Sequence, residues 1–203
     1  MMRSLLAAAL LAWFLGPGTL GAGAQPGAAS PSSPLPGKEF PDLGNLHIPR
    51  LGDAHAPYNS EPPTSGTHLP GIAPWGIYDK PIPKEYQVHN LEDGGVVIQY
   101  NCPKGCPDLI KKLEGVFFKY KARAQKEKKY MHLILAPYPD MDARIALTAW
   151  TRLDKLPDFD EARIDRFIEA YIGIDHHPKK ESKKQPPDSG QATQKAPAAR
   201  PQP

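Results

Sequence analysis

Only two of the 203 residues are cysteine, and the longest apolar run, Leu5 to Gly16, covers twelve. Two cysteines rule out a disulfide-dense scaffold. Twelve residues fall short of the about 20 that a bilayer-crossing helix needs. An excess of one charge is missing too. Outside residues 1–24 and 175–203, 18 basic side chains face 19 acidic ones, a net charge of −1, so no nucleic-acid footprint is present. Familiar catalytic signatures are also absent. Ser65 sits in no G-x-S-x-G elbow. Gly94-Gly95 precedes a strand-forming run, where a phosphate cradle needs a helix. Glu92 and Asp93 are adjacent, a poor arrangement for paired carboxylates. No internal repeat is visible, and the balance leans against an enzyme.

What is there divides the chain into four parts. Arg3, the apolar run and Ala22-Gly23-Ala24 suggest a cleaved secretory signal over residues 1–24, hence a periplasmic or extracellular protein with no membrane span after cleavage. Residues 25–49, rich in Pro, Gly, Ser and Ala, suggest a flexible linker, and residues 175–203 a disordered polar tail. Between them, residues 50–174 are enough for one α+β domain. Seven prolines fall between positions 57 and 83, so that stretch is expected to be coil, pinned to the domain by Tyr58, Trp75, Ile77 and Tyr78.

The spacing then predicts a short strand at Tyr86–Asn90, a turn at Glu92–Gly95 and a buried strand at Val96–Tyr100. A helix opens at Pro107, with Leu109, Ile110, Leu113, Val116, Phe117, Tyr120 and Ala124 on one face. Strands follow at Met131–Ala136 and Arg144–Trp150, their short link suggesting an antiparallel pair. A capping box, Asp158 to Glu161, starts a last helix that buries Ile164, Phe167, Ile168 and Tyr171 and stops at Gly173. The expected fold is α+β: a mixed sheet of three to four strands, two helices and a Pro-rich coil front, in an element order that a thioredoxin-like core shares.

Chemistry is expected where the strand at Val96–Tyr100 meets the helix. Cys102 and Cys106 sit there in C-x-x-x-C spacing, at a helix start that favours thiolate. Two sulfurs so placed can chelate a soft metal or close a disulfide. His68 and His89 flank the same strand in sequence, so a Cys/His site for a soft metal ion, copper first, takes Cys102, Cys106, His89 and His68 as ligands. His176 and His177 belong to the tail and would bind metal only weakly. Two alternatives stand beside this reading. One is a non-catalytic envelope interaction module with a Cys102–Cys106 disulfide, its partner another envelope protein. The other is a thiol–disulfide oxidoreductase, from which the spacing departs by one residue.

Two resemblances add to these readings. The hexapeptide CPKGCP resembles the CPxxCP turn of Sco-type copper-delivery proteins, which implies a thioredoxin-like fold with a distant histidine completing the metal site. Over residues 57–174 the segments PPTSGTH, VHNLEDGG and IALTAW resemble a bacterial domain-of-unknown-function family whose members are typically secreted or membrane-anchored. That resemblance groups Pro62, Pro63, His68, Trp75, His89, Glu92, Gly94 and Gly95 in one region, implying a pocket walled by Trp75, Glu92, Gly94 and Gly95. It carries no activity. Many relatives have histidine where this chain has Asp93 and Gln99.

Overall fold

A computed structural model describes residues 34–178 and 198–201. The signal expected at 1–24 and most of the tail lie outside the described residues. Contacts divide the chain into two compact units after Pro34, and the described residues from Leu35 onward belong to the second.

The strand Val96–Tyr100 (β3) is the middle of the molecule. All five of its residues are buried, because both sheet faces are covered. Alternate residues serve the two sides. Val96, Ile98 and Tyr100 face one core, while Val97 joins the other. On one edge β3 pairs in parallel with Leu133–Pro137 (β4), which pairs in parallel with Gly76–Ile77 (β2). On the other it pairs antiparallel with Ile145–Ala149 (β5), which is followed by Arg152–Leu156 (β6) and Lys38–Glu39 (β1), both antiparallel. The order across this six-stranded mixed sheet is β1-β6-β5-β3-β4-β2.

One face is closed by a short helix, Lys84–Glu92 (α1), and by the Pro-rich coil, with Ile82, Tyr86, Val88 and Leu91 in one cluster with Trp150. Two amphipathic helices pack the other. Pro107–Arg123 (α2) carries Pro in its first turn and buries Leu109, Leu113, Val116, Phe117 and Tyr120. Glu161–Tyr171 (α3) buries Ile164, Phe167, Ile168 and Tyr171, and Asp160 caps it by accepting the Arg163 N–H at 3.0 Å.

Several expectations change. Six strands replace three or four: β1 and β2 are two residues long and leave no run to recognise, and Arg152–Leu156 (β6), with its charged Arg152, Asp154 and Lys155, was not expected. Three helices replace two: the segment read as a strand at Tyr86–Asn90 is helical. Seven of α1's nine residues are buried, among them Gln87, Asn90 and Glu92, so no polar stripe marks it as a helix. Its buried amides are bonded instead. Asn90 bridges the Ala73 backbone N–H and carbonyl at 3.0 and 2.8 Å, and Gln87 donates to Ile82 O at 2.6 Å. β4 and β5 are not partners; β3 lies between them. The cap of α3 is Asp160, two residues beyond the expected one. Ahead of residue 50, in the stretch read as linker, Lys38–Glu39 already pairs with β6. Far along the chain, the Arg200 N–H donates to Ile77 O at 2.6 Å, and its guanidinium reaches Glu114 and Asp79.

Candidate metal centre

The last turn of α1 presents a ligand pair by its own geometry. His89 and Glu92 are three residues apart, on one helix face. Opposite them runs the PPTSGTH coil. Its His68 is held by a parallel bridge to residues 46–48: the His68 N–H donates to Leu46 O at 2.9 Å, and the Ile48 N–H to His68 O at 2.8 Å. The same bridge delivers His47, whose ring stacks on His89 at 5.4 Å and meets His68 edge-on at 4.8 Å. One ligand atom from each of His47, His68, His89 and Glu92 lies within 4.8 Å of the others.

The ring nitrogens are already assigned by their partners. His68 Nδ1 lies 2.7 Å from Gly66 O and His89 Nδ1 2.6 Å from Leu69 O. A carbonyl only accepts, so both Nδ1 atoms carry a proton, and each ring turns its Nε2 inward. His68 Nε2 faces Glu92 Oε2 at 3.0 Å, with both side chains essentially unexposed. That is hydrogen-bond distance, with one proton shared between nitrogen and oxygen, and a cation bound there would take the proton's place. The other Glu92 oxygen accepts from Asn45 Nδ2 at 2.6 Å. His89 Nε2 has Asp93 Oδ1 3.8 Å away, beyond hydrogen-bond reach.

A second group, His89, Asp93 and His177, adjoins the first. It is brought in by the segment after α3, which doubles back over the end of α1. The Gly173 N–H donates to Gly94 O at 2.7 Å and the His176 N–H to Glu92 O at 2.8 Å. Gly94 permits this approach: its φ is +77°, and a Cβ there would lie 2.7 Å from the Ile174 backbone. His176 then stacks over Trp150 at 5.9 Å. His177 Nδ1 donates to Asp175 at 2.7 Å, aiming Nε2 at Glu92 (3.4 Å) and Asp93 (3.7 Å).

Burial, ahead of every other influence, holds His68 down to about 4, with His89 and His47 adding to it against the pull of the Gly66 carbonyl and Glu92. Burial and His89 lower His47 as well, and burial lowers His176. Burial also opposes the charged form of His177, but Asp175, Glu92 and Asp93 outweigh it and raise its pKa. Between pH 6.5 and about 4 the unfolded chain therefore binds a proton that folded His68 does not. The metal-free protein is expected to lose roughly 2 kcal/mol of stability as pH falls through that window, read as the urea midpoint at pH 7 against pH 4.5. A midpoint that rises on acidification would contradict a neutral His68.

The family model described as "Protein of unknown function (DUF3105)" matches residues 52–187. The chain belongs to that family. No curated protein and no solved structure matches it. The DUF3105 match spans His68, His89, Glu92, Asp93 and His177 and names no chemistry for them.

Of the expected ligands in this DUF3105 domain, His68 and His89 come together. The cysteines do not join them. Cys102 and Cys106 are bonded to each other, and neither His/carboxylate group includes a sulfur. The reason is topological. His89 and Glu92 lie before β3 and the cysteines after it, and five strand residues at about 3.3 Å each separate the two ends by about 13 Å or more. The expected wall is also redistributed. Glu92 belongs to the ligand cluster, and Gly94 lets the C-terminal segment approach. Gly95 leaves room for Trp75, whose ring a Cβ would meet at 2.7 Å and which stacks on His132 at 4.8 Å. Sequence reasoning missed His47, Asn45 and Asp93, and set His177 aside with the tail. The one available signal was His176-His177 directly after the helix stop at Gly173.

Proposed function

We propose that this domain binds a divalent transition-metal ion through the Nε2 atoms of His68 and His89, a ring nitrogen of His47 and the carboxylate of Glu92, with copper(II) held most tightly. The convergence of ligand atoms from His47, His68, His89 and Glu92 within 4.8 Å carries this reading, because a cation there replaces the proton shared by the unexposed His68 and Glu92 side chains with bonds to all four. A tetrahedral ion with bonds of about 2.0–2.1 Å sets its ligand atoms about 3.3 Å apart, so the observed 3.0 Å needs little adjustment. Three imidazoles and one carboxylate suit a borderline cation, and copper(II) leads the affinity order among these. The Nδ1–carbonyl bonds are the outer support that such ligands use to keep ring and tautomer fixed. The secretory leader expected at residues 1–24 would put this chemistry outside the inner membrane.

Isothermal titration of the metal-stripped chain with copper(II) tests the assignment. One ion per chain is expected, with binding lost in Glu92→Gln and retained in Cys102→Ser/Cys106→Ser. That double serine variant should unfold about 2 kcal/mol more easily, the effect of opening a five-residue loop. If it instead loses copper, the sulfurs are ligands and the imidazole site is wrong.

A second reading rests on the disulfide itself. Cys102–Cys106 spans the turn from β3 into α2, with Cys106 at the helix cap and both cysteines half-buried. Strands β4-β3-β5-β6 with α2 and α3 have the order and directions of a thioredoxin-like core, which supports thiol–disulfide exchange with a dithiol partner. Reduction of insulin by the wild-type chain and not by Cys102→Ser would favour it; a potential below about −300 mV without turnover would leave the bridge structural.

A further inference from the structure

The two ligand groups share His89, and that sharing limits what they can hold. His89 Nδ1 is committed to Leu69 O, so one lone pair, on Nε2, is left for both groups. It can bind one ion at a time. The groups also differ in access. His68 and Glu92 side chains are 0% and 1% exposed, whereas those of His177 and Asp93 are 43% and 30% exposed.

We infer that the centre holds one metal ion in either of two positions, an outer one on His89, Asp93 and His177 and an inner one on His47, His68, His89 and Glu92, and that ions load and leave by exchange between them. The inference rests on the metal-binding reading of the site. In the inward step His89 Nε2 stays bound, bonds to His68 Nε2, a ring nitrogen of His47 and Glu92 form, and those to Asp93 and His177 break. The electron count does not change, and the proton shared by His68 and Glu92 leaves to water. Glu92 Oε2, 3.4 Å from His177 and 3.0 Å from His68, is within reach of both positions. The outer arm is built in advance rather than recruited. Asp175 accepts from both the ring Nδ1 and the backbone N–H of His177, at 2.7 and 2.9 Å, and the Gly94–Gly173 hydrogen bond fixes the segment to the end of α1. The cargo is a divalent transition-metal ion arriving hydrated or on a weak carrier, able to swap ligands one by one.

Stopped-flow mixing of the full metal-free chain with copper(II), followed by tryptophan fluorescence beside an equilibrium titration, tests this. His177→Ala and Asp93→Asn, on side chains 43% and 30% exposed, should slow loading and release by about tenfold each while leaving one ion per chain and weakening affinity far less than His68→Ala does. Gly94→Ala, which pushes the Ile174 backbone away, should slow both rates in the same direction. Two ions bound at once, a loss of affinity in His177→Ala as large as in His68→Ala, or unchanged rates in all three variants would each overturn the relay while leaving the inner site standing. A wild-type chain that takes up no ion, or takes it up equally well after His68→Ala, would remove the metal reading and the relay with it.

Discussion

Copper(II) affinity is expected to fall at least about 100-fold when His68 is replaced by alanine, more than the 10- to 100-fold that follows loss of an outer support residue. The substitution removes one ligand and also a partner of a buried carboxylate. Glu92 keeps Asn45, but its other oxygen then faces a void where an imidazole stood. Leaving a buried polar group without its hydrogen-bond partner costs about 1–3 kcal/mol, so the metal-free variant should also melt earlier than wild type. The two effects separate by measurement. Saturating copper(II) should raise the wild-type melting temperature, because a ligand that binds only the folded chain stabilises it in proportion to the logarithm of its concentration. The same addition should stabilise His68→Ala by about 2.7 kcal/mol less, the equivalent of a 100-fold weaker affinity. A variant that melts early yet gains as much stability from copper as wild type would mean that His68 only supports the fold.

The second large effect belongs to the core on the opposite sheet face. Phe167 is fully buried, meets Tyr171 edge-on at 4.8 Å, and packs where Gly37 leaves room for it: a Cβ at Gly37 would lie 2.9 Å from the Phe167 ring. Phe167→Ala is expected to cost about 3–5 kcal/mol, a large share of the roughly 5–15 kcal/mol that keeps a domain folded. Chemical denaturation should show it as a lower midpoint with an unchanged slope. Copper affinity of the protein that stays folded should hold, since α3's buried stripe and the ligands lie on different faces of the sheet. Loss of less than about 1 kcal/mol would mean that the cavity collapses and that α3 is held mainly from elsewhere.

Sequence and structure agree where one physical signal dominates. The helices at Pro107–Arg123 and Glu161–Tyr171 each bury a stripe, and their spacing announces it. The all-apolar start of β3 reads as a strand because both its faces are covered. Agreement fails where burial is two-sided or the element is very short. In α1, the succession Tyr86, Gln87, Val88, His89, Asn90 imitates the alternation of a strand; the helix tolerates it by satisfying Gln87 and Asn90 with coil carbonyls from Ile82 and Ala73. For the site, nearness in sequence was misleading. Cys102 is thirteen residues from His89 but a full strand length away, while His47 and His177 reach His89 from opposite ends of the domain. Segments 46–48 and 173–177 carry no periodicity. Only backbone hydrogen bonds to residues 66–68 and to the end of α1 say where they lie.

The contact between Arg200 and β2 has a practical bearing on handling the molecule. β2 is the last strand on its side, and its outer rim would offer unpaired amide and carbonyl groups to any extended peptide. Residues 198–201 lie along that rim, with Arg200 anchored by Glu114 and Asp79 and Ala199 tucked against the core beneath. Shortening the chain ahead of Ala198 strips away this cover, so trimmed preparations meant to aid crystallisation would carry a sticky border that the longer chain shields.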